Sequence, residues 1–456
     1  MELRGRSVVI VGLARTGEAL ADFLLDEGAR VTISDSKPRE AMGPAADRFA
    51  ARGAVIEADG HVPATFFGAD LIIPSPGVPR LALILEARGK GVPVITEIEL
   101  AYRFLKGTLI GITGTNGKST TTTLIHKILH EAGRDAVLAG NIGTPLLSFI
   151  REGREDRVYV TEISSFQLEY IERFKVHLAV YLNLSPNHLD WHGGYEEYAA
   201  AKAKLIAGLG ADDYAVLNAD DAGVWALRGR GPFQAVGFSR RGEVERGAFV
   251  RNGSIILRLE GAEEALMPVA EIALFGAHNR ENVMAAALAG RLMGVPSPRM
   301  RESIRTFRGL AHRLEPVLTH NGVEFVNDSK ATTVEAAIKA VESFERPIVL
   351  ILGGKDKGTD FAPLRPALAG RVRSIVLVGV AKDKIRRALE GVAPMAEARD
   401  YREVVEAAYA AARPGDVVLL APACTSWDMF ADFEQRGETF KREVRRLAGG
   451  AVGEEA

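Results

Sequence analysis

The sequence predicts an α/β protein of three domains, and three observations lead to this fold class. Short apolar runs alternate with helical patterns along the 456 residues, as in mostly parallel sheets that carry helices on both faces. Glycine turns follow apolar runs at Gly12 and again at Gly114, so two separate βα units begin there. The same rhythm restarts after residue 308. We therefore divide the chain into domains at residues 1–104, 105–308 and 309–456.

The first domain is predicted to be Rossmann-like. Its expected elements are strands at 7–13, 29–34 and 70–73 and a helix at 16–26. The second strand ends at Asp35, about twenty residues after a glycine turn, which is the dinucleotide-binding arrangement. Ala14 stands where that fingerprint has its middle glycine, so only Gly12 and Gly17 remain. A dehydrogenase that uses NAD therefore stays open as an alternative function.

The second domain is predicted to be of the P-loop ATPase type. Residues 111–120 read Gly-Ile-Thr-Gly-Thr-Asn-Gly-Lys-Ser-Thr and join an apolar run to a helical pattern. Backbone N–H groups and the helix N-terminus favour phosphate there, Lys118 reaches the outer phosphates and the Ser119 hydroxyl faces Mg²⁺. Ile112 occupies a position where the strict motif has glycine, so the loop is atypical. A P-loop regulatory protein that switches with nucleotide but makes no product is a second alternative.

The remaining elements follow from hydrophobic periodicity. In the second domain we expect strands at 108–110, 158–163, 178–184 and 214–217, helices at 121–130, 195–209 and 279–293, and a small antiparallel appendage at 233–259. In the third domain we expect strands at 324–327, 348–352, 375–378 and 417–420, and helices at 333–343 and from Ser426 onward. The basic run 441–446 is expected to be the solvated face of the last helix.

Two polar residues follow strands on the sheet edge that carries the phosphate loop. Glu162 closes one predicted strand, and His188 lies just beyond the next. A carboxylate beside a phosphate loop typically binds Mg²⁺ or orients water. The metal is needed there because it neutralises charge on a transferred phosphoryl group. The sequence therefore predicts phosphoryl chemistry at this edge.

Composition narrows the class of partner and the compartment. The net charge of −2 offers no electrostatic basis for nucleic-acid binding. The single cysteine, Cys424, excludes an intrachain disulfide, fits a reducing compartment and is expected to be a small buried residue. The apolar run near Met1 is too short for a signal peptide or a membrane span. We expect a cytoplasmic protein that acts on small molecules, without nucleic acid and without membrane insertion.

Short blocks along nearly the whole chain resemble the signature blocks of the Mur ligases, which add amino acids to the nucleotide-linked peptidoglycan precursor. The blocks occur in order at residues 114–119, 140–143, 162–169, 278–282, 312–313, 327–332, 353–357, 421–426 and 433–437. The blocks at 327–332 and 421–437 most resemble the branch of the family that adds D-glutamate. Another Mur-type ligase, or a ligase like folylpolyglutamate synthetase, is the remaining alternative.

The resemblance implies a nucleotide-sugar domain, a central ATPase domain and a C-terminal Rossmann-like domain, and it implies site residues in each. ATP would be bound by Gly114, Thr115, Asn116, Gly117, Lys118, Ser119 and Thr120, with Asn282, Arg313 and Asp328 at adenine and ribose or phosphate. The uridine diphosphate would face Thr16, Asp35, Ser36, Lys37 and Ser75, and the muramoyl part would face Asn141 and His188. D-glutamate would be bound by Thr332, Lys357, Ser426 and Phe433, although Lys355 could replace Lys357.

The resemblance also implies the chemistry. The catalytic residues would be Lys118, Glu162, His188 and Lys202. Two Mg²⁺ ions are implied, one at Ser119 and Glu162 and one at His188 and a carbamylated Lys202, while Lys204 stays an ordinary lysine. ATP would convert the alanyl carboxylate of UDP-N-acetylmuramoyl-L-alanine to an acyl phosphate, which D-glutamate then attacks through a tetrahedral intermediate. We expect a monomer.

Overall fold

The computed structural model describes residues 1–356 and 358–449 and contains three β-sheets. The described chain divides into two compact units. One unit comprises residues 1–272 and 280–305, and the other comprises residues 273–279 and the chain from Thr306 onward. No helix within the described residues is both long and apolar enough to cross a bilayer.

The first sheet has four parallel strands in the order β3-β2-β1-β4. Its elements are β1 Ser7–Val11, α1 Arg15–Asp26, β2 Arg30–Ser34, a 3-10 helix Arg39–Met42, α2 Pro44–Ala51, β3 Val55–Glu57, α3 Pro63–Phe67, β4 Leu71–Pro74, α4 Ala82–Gly89 and α5 Glu97–Tyr102. Strand β1 is a continuous run of β-branched residues after Ser7, and these residues are buried on both faces, as expected inside a parallel sheet.

The second sheet has nine strands in the order β13-β12-β11-β10-β9-β8-β5-β7-β6. Its first elements are β5 Thr108–Thr113, α6 Lys118–Glu131, β6 Ala136–Gly140, a 3-10 helix Leu146–Glu152, β7 Val158–Glu162, α7 Ser165–Glu169, β8 Leu178–Tyr181, α8 Leu189–His192 and α9 Tyr195–Ala207. They are followed by β9 Tyr214–Asn218, α10 Ala222–Trp225, a 3-10 helix Ala226–Gly229, β10 Gln234–Ser239, β11 Gly247–Arg251, β12 Ser254–Leu259, β13 Ala262–Pro268, a 3-10 helix Val269–Glu271, α11 Ala277–Leu292 and α12 Ser297–Thr306.

The third sheet has six strands in the order β14-β15-β19-β16-β17-β18 and lies in the second unit. Its elements are β14 Glu315–His320, β15 Val323–Asn327, α13 Val334–Glu342, β16 Ile348–Gly353, α14 Leu364–Leu368, β17 Val372–Val378, α15 Lys382–Leu389, β18 Met395–Glu397, α16 Tyr401–Ala411, β19 Val417–Leu420 and α17 Phe433–Leu447. Every pairing in it is parallel except β14 with β15. The predicted α/β class of mostly parallel sheets is confirmed.

Three expectations from the sequence are wrong in detail. The segment 233–259 is no separate appendage, because β10 continues the second sheet in parallel with β9, and the antiparallel ladder begins only between β11 and β12. The last helix begins at Phe433 rather than Ser426, since the Asp432 side chain accepts from the N–H of Gln435 and caps it there. Lys441 is buried beside Glu315 rather than solvated.

The first two sheets share one apolar core within the first unit. Buried side chains from β1 and α1, such as Ile10 and Leu24, belong to the same cluster as Leu109 on β5 and Tyr181 on β8. Loops that leave the two sheets can therefore contact each other.

Candidate active site

The phosphate loop connects β5 to α6. Ile112 is fully buried inside β5 and pairs in register with Glu162 of β7, so the strand extends past the position where the strict motif has its first glycine. The turn itself is made at Gly114 and Gly117, whose φ angles are +148° and +82°. These left-handed values favour glycine. The loop is therefore atypical in sequence because its turn begins later.

Hydrogen bonds hold the loop in shape. Lys118 Nζ donates to the carbonyl oxygens of Gly114 and Thr115, each at 3.0 Å, so the cation lies over the loop. The Asn183 side chain, just beyond β8, accepts from Asn116 N at 2.8 Å and donates to Asn116 O at 3.1 Å. The loop is thus preorganised by its own lysine and by the neighbouring strand end.

Asn282 of α11 lies against the same loop. It is buried, and a Cβ placed on Gly117 would overlap its Oδ1 atom. Position 117 therefore requires glycine for two reasons: its backbone angle is left-handed, and the Asn282 amide packs directly over it. The structure brings this predicted ATP residue to the phosphate loop.

Glu162 ends β7 beside the loop and is buried. Its Oε1 atom accepts from Asn141 Nδ2 at 2.7 Å, and its backbone carbonyl accepts from Asn141 N at 2.9 Å. The buried Oε2 atom has no hydrogen-bond partner within the described part of the chain. A buried carboxylate oxygen without a partner is costly unless a cation or donor satisfies it.

This donor set fits Mg²⁺. The ion prefers oxygen ligands and is commonly held by one or two carboxylates together with substrate phosphates. Among residues 1–356 and 358–449, no group of three or more His, Cys, Asp or Glu residues could hold a metal by itself. Glu162 offers one such carboxylate, and Ser119, buried in the first turn of α6, offers a hydroxyl oxygen.

Lys202 of α9 points into the site and is 2% exposed. Its Nζ atom donates to Gly114 O at 2.9 Å and to Thr113 Oγ1 at 3.2 Å. Burial, together with the nearby Lys118 cation, lowers the pKa of Lys202 well below its ordinary value, although Glu162 acts in the opposite direction. Lys204 points elsewhere and donates to Glu169 O at 2.6 Å.

His188 precedes α8 and adopts a left-handed backbone conformation with φ of +51°. It is exposed, and its ring packs against Phe166 with the ring centroids 4.9 Å apart. Phe166 lies four residues beyond Glu162 on α7, so His188 is placed beside the segment that follows the buried carboxylate.

Predicted nucleotide-sugar residues gather where strands of the first sheet end. The Asp35 carboxylate, just after β2, accepts from Leu13 N at 2.8 Å and from Lys37 N at 3.0 Å. Ser75, just after β4, donates from Oγ to Gly12 O at 2.9 Å. Thr16 lies in the first turn of α1 and is half-buried, whereas Ser36 and Lys37 are exposed.

In the second unit, Asp328 follows β15 and accepts from Leu314 N at 3.3 Å. Burial raises the pKa of its carboxyl to about 7, against the opposing effect of the Arg313 cation. Arg313 itself is exposed, and its neighbours His312 and Leu314 both have positive φ angles. Arg313 thus lies on a tightly turned segment, and Asp328 lies at the strand end beside it.

The second unit also contains a cleft of about 220 Å³, whose lining includes residues that follow Asp328 closely along the chain. Its lining consists of Thr332, Thr333, Val334, Glu335, Lys355, Thr359, Ala423, Cys424 and Thr425. Of the predicted D-glutamate residues, Thr332 lines it. Ser426 is buried, while the Phe433 ring lies 4.5 Å from Lys330 Nζ. Lys357 lies outside the described residues, and Lys355, the other lysine considered, lines the cleft.

Cys424 is buried and lines this cleft. Burial raises the pKa of its thiol to about 12. A thiol with so high a pKa is a poor nucleophile at neutral pH. The expectation of a small buried residue is confirmed.

Comparison with known proteins decides the family. Three family models match in order: "Mur ligase MurD-like, N-terminal domain" at residues 6–96, "Mur ligase middle domain" at 112–290 and "Mur ligase, glutamate ligase domain" at 312–424. A protein of Acidobacterium capsulatum named UDP-N-acetylmuramoylalanine--D-glutamate ligase is 46% identical over 459 residues, with 100% of both chains covered. The chain belongs to the Mur ligase family.

Further Mur ligases support this. A protein of the same name from Koribacter versatilis is 45% identical, and the match covers 98% of this chain and 99% of that relative. Two solved structures share the fold at 18% identity: a pseudomurein peptide ligase type C from Methanothermus fervidus, with a TM-score of 0.57, and UDP-N-acetylmuramate-alanine ligase from Thermotoga maritima, with a TM-score of 0.56. Each match covers 97% of this chain. It covers 100% of the Methanothermus fervidus structure and 99% of the Thermotoga maritima structure.

Family membership establishes the type of enzyme. Mur ligases are ATP-dependent amide ligases and use Mg²⁺. The phosphate loop and Glu162 described above are the features of this chain that fit those two requirements. The general prediction of an ATP-dependent ligase is confirmed.

Arg436 was not among the residues predicted from the sequence, and it links two loops of the second unit. Its side chain is 1% exposed and donates to Ser329 Oγ at 2.9 Å, to Ser329 O at 2.7 Å and to Cys424 O at 3.0 Å. Burial lowers the pKa of this guanidinium. The block at 433–437 contains Arg436, but only the fold reveals that it joins the loops after β15 and β19.

Proposed function

We propose that this protein joins D-glutamate to UDP-N-acetylmuramoyl-L-alanine in an ATP-dependent reaction of cytoplasmic peptidoglycan-precursor synthesis. The observation that carries the proposal is identity of 40–46% over at least 98% of the chain to relatives named as D-glutamate ligases. We propose three domains with boundaries after residues 104 and 308, because the three sheets and the three family models fall within those ranges. We also propose that the protein acts as a monomer.

The reaction needs an activated acyl group, because a carboxylate is a poor acyl donor. The alanyl carboxylate attacks the γ-phosphate of ATP, which releases ADP and forms an acyl phosphate. The amine of D-glutamate then attacks the acyl carbon, a tetrahedral intermediate forms, and phosphate leaves as the amide is completed. Lys118 stabilises negative charge on the transferred phosphoryl group, and loops that exclude water protect the acyl phosphate from hydrolysis.

The proposal includes two Mg²⁺ sites, and the unpartnered carboxylate oxygen of Glu162 supports the first of them. Ser119 and Glu162 would hold one ion, and His188 with carbamylated Lys202 would hold a second. Bound Mg²⁺ neutralises charge on the phosphates during transfer. The burial of Lys202 and its lowered pKa support carbamylation, because only the neutral amine reacts with carbon dioxide. Carbon dioxide adds to the neutral amine with release of one proton, so the side chain becomes an anionic carbamate.

The substrate assignments follow the strand ends. Thr16, Asp35, Ser36, Lys37 and Ser75 would bind the uridine diphosphate, and Asn141 and His188 would contact the muramoyl part. The loop Gly114–Thr120 would bind the phosphates of ATP, with Asn282, Arg313 and Asp328 at adenine and ribose or phosphate. D-glutamate would be bound by Thr332, Ser426, Phe433 and either Lys357 or Lys355. The hydroxyls and the lysine of the cleft support this, since both donate to carboxylates.

The test is phosphate release with purified protein, ATP, Mg²⁺ and UDP-N-acetylmuramoyl-L-alanine against a panel of L- and D-amino acids. Release that requires both the carboxylate substrate and D-glutamate is expected. Preference for another amino acid, or activity with a folate and glutamate, would point to a sister ligase. ADP release without any acceptor would favour a regulatory P-loop protein, and thermal stabilisation by NAD would favour a dehydrogenase.

A further inference from the structure

Helix α8 is a four-residue turn that begins directly after His188 and is held from the first sheet. Trp191 Nε1 donates to Val78 O at 3.1 Å, across 113 positions of sequence. Arg80 Nη1 donates to Glu197 Oε2 on α9 at 2.7 Å and to His192 O at 3.3 Å. All of these residues belong to the first compact unit. The contacts of Trp191 and of His192 O therefore join the loop after β4 to the turn that follows His188, and the bond to Glu197 ties Arg80 to α9.

The same turn packs inward on Phe166. The Phe166 ring centroid lies 4.9 Å from those of His188 and Trp191 and 5.7 Å from that of His192. His192 Nε2 lies 2.9 Å from Ser165 Oγ. A helix this short has no stability of its own, because nucleation is unfavourable and its hydrogen bonds are few. Its position therefore depends on its neighbours, among them Phe166 on one side and Val78 and Arg80 on the other.

The loop after β4 has a restricted backbone. Pro74 ends β4, Pro76 and Pro79 follow it, and each proline restricts the backbone angle φ. Val78 N donates to Ser75 O at 3.0 Å and closes a turn. Ser75 Oγ is in turn anchored on Gly12 O. Ser75, Val78 and Arg80 thus lie on one short segment that is restricted by prolines and closed by a hydrogen-bonded turn.

We propose that Trp191 and Arg80 are positioning residues that couple occupancy of the nucleotide-sugar site to the placement of His188. The inference rests on the proposed function, in which Ser75 faces the uridine diphosphate and His188 serves the reacting end. Binding of the nucleotide sugar then favours the position of the turn that the ATP site requires, and binding of ATP favours the nucleotide sugar by the same factor.

The test measures this coupling. The dissociation constant of UDP-N-acetylmuramoyl-L-alanine is determined by calorimetry with and without a non-hydrolysable ATP analogue and Mg²⁺. For the unmodified protein, we expect the analogue to tighten binding about tenfold, within the usual range for coupled sites. In Trp191→Phe and in Arg80→Met the ratio should fall towards one, while affinity for the analogue alone changes less than about twofold. Arg80→Lys should restore part of the ratio, because it keeps a cation for Glu197.

Two matched variants separate coupling from general damage. Trp225→Phe makes the same substitution at a tryptophan on α10. Lys90→Met removes a cation that pairs with Glu86 on α4. Both should keep the unmodified ratio. An unmodified protein without coupling, or Trp191→Phe and Arg80→Met proteins that keep the full ratio, would overturn the inference. If the unmodified protein releases phosphate with D-glutamate while the ratios stay equal, the inference alone fails and the proposed function stands.

Discussion

The amine of Lys202 lies 2.9 Å from the carbonyl oxygen of Gly114, where the phosphate loop begins. The two residues are 88 positions apart in sequence, and α9 brings them together. A lysine on an alanine-rich helix is ordinarily solvated, whereas this one is buried beside a second cation, Lys118. Such surroundings disfavour the ammonium form and leave an amine that can react.

We predict that Lys202→Ala loses activity and is partly rescued by added short-chain carboxylic acids. A small acid can occupy the space of the missing side chain and restore the negative charge that a carbamate would provide. Phosphate release with and without the acids is the measurement. Lys204→Ala is the control and should behave like the unmodified protein, since its amine bonds to Glu169 O. Full activity of Lys202→Ala without any acid would exclude the proposed role.

We predict that Lys118→Ala lowers ATP-dependent ligation by about a hundredfold or more, as expected when an electrostatic contributor to the transition state is lost. Lys118 lies over the loop with its Nζ atom on two loop carbonyls. The measurement is the rate of ADP formation at saturating substrates. Lys127→Ala, on the same helix and paired with Glu131, should keep its rate. Near-normal turnover of Lys118→Ala would remove the phosphate-loop assignment.

We predict that Gly117→Ala weakens ATP binding much more than it weakens the fold. The new Cβ would overlap Asn282 Oδ1, which must move away from the loop. Gly133→Ala is a matched control at the end of the same helix, because its φ of +84° is nearly that of Gly117 and no atom lies within 4 Å of the added Cβ. Both variants carry backbone strain of about 1–2 kcal/mol. Equal affinities of the two variants for ATP would contradict the packing of Asn282 on the loop.

We predict that D-glutamate is a substrate and that L-glutamate is not. Hydroxyl and lysine donors in the cleft, among them Thr332 and Lys355, can hold two carboxylates in one handed arrangement. The mirror-image amino acid then directs its amine away from the acyl carbon. Product formation with each enantiomer is followed by chromatography. Equal yields from both would show that the wrong branch of the family has been proposed.

We predict that Glu97 makes the first unit less stable as pH rises. Its side chain is buried and accepts from Leu147 N at 2.7 Å, and burial raises the pKa of the carboxyl from 4.5 to about 7. The folded state therefore binds more protons than the unfolded state between these values, so the stabilising contribution is complete below 4.5 and is lost as pH passes 7. The loss amounts to at most about 3 kcal/mol.

The check on Glu97 is the unfolding midpoint of Glu97→Gln, whose amide oxygen still accepts from Leu147 N. This variant should be more stable than the unmodified protein at about pH 8 and similar to it at about pH 5. Glu86→Gln, on the exposed side of α4, should follow the unmodified protein at both values. Parallel pH curves for Glu97→Gln and the unmodified protein would show that Glu97 does not titrate in this range.

Local signals explain which features the sequence could predict. The strands β1, β5 and β16 are short, mainly apolar runs that are rich in β-branched residues, so their existence follows from pattern and propensity. The site residues in the phosphate loop and at the ends of strands were recognisable because parallel strands direct their carboxyl ends to one edge. The start of the last helix was misplaced, since the capping bond at Asp432 depends on side-chain geometry that periodicity does not reveal.

The α/β class, the phosphate loop and the ordered family blocks follow from the sequence alone, because each depends on residues close together along the chain. Three features become visible only in the folded chain: Lys202 is buried beside Gly114, a Glu162 oxygen lacks a partner in the described residues, and Arg436 joins two loops. Burial, and with it the pKa of a group, depends on which distant segments pack around it. That packing is set by long-range contacts between sheets and helices, which no local pattern specifies.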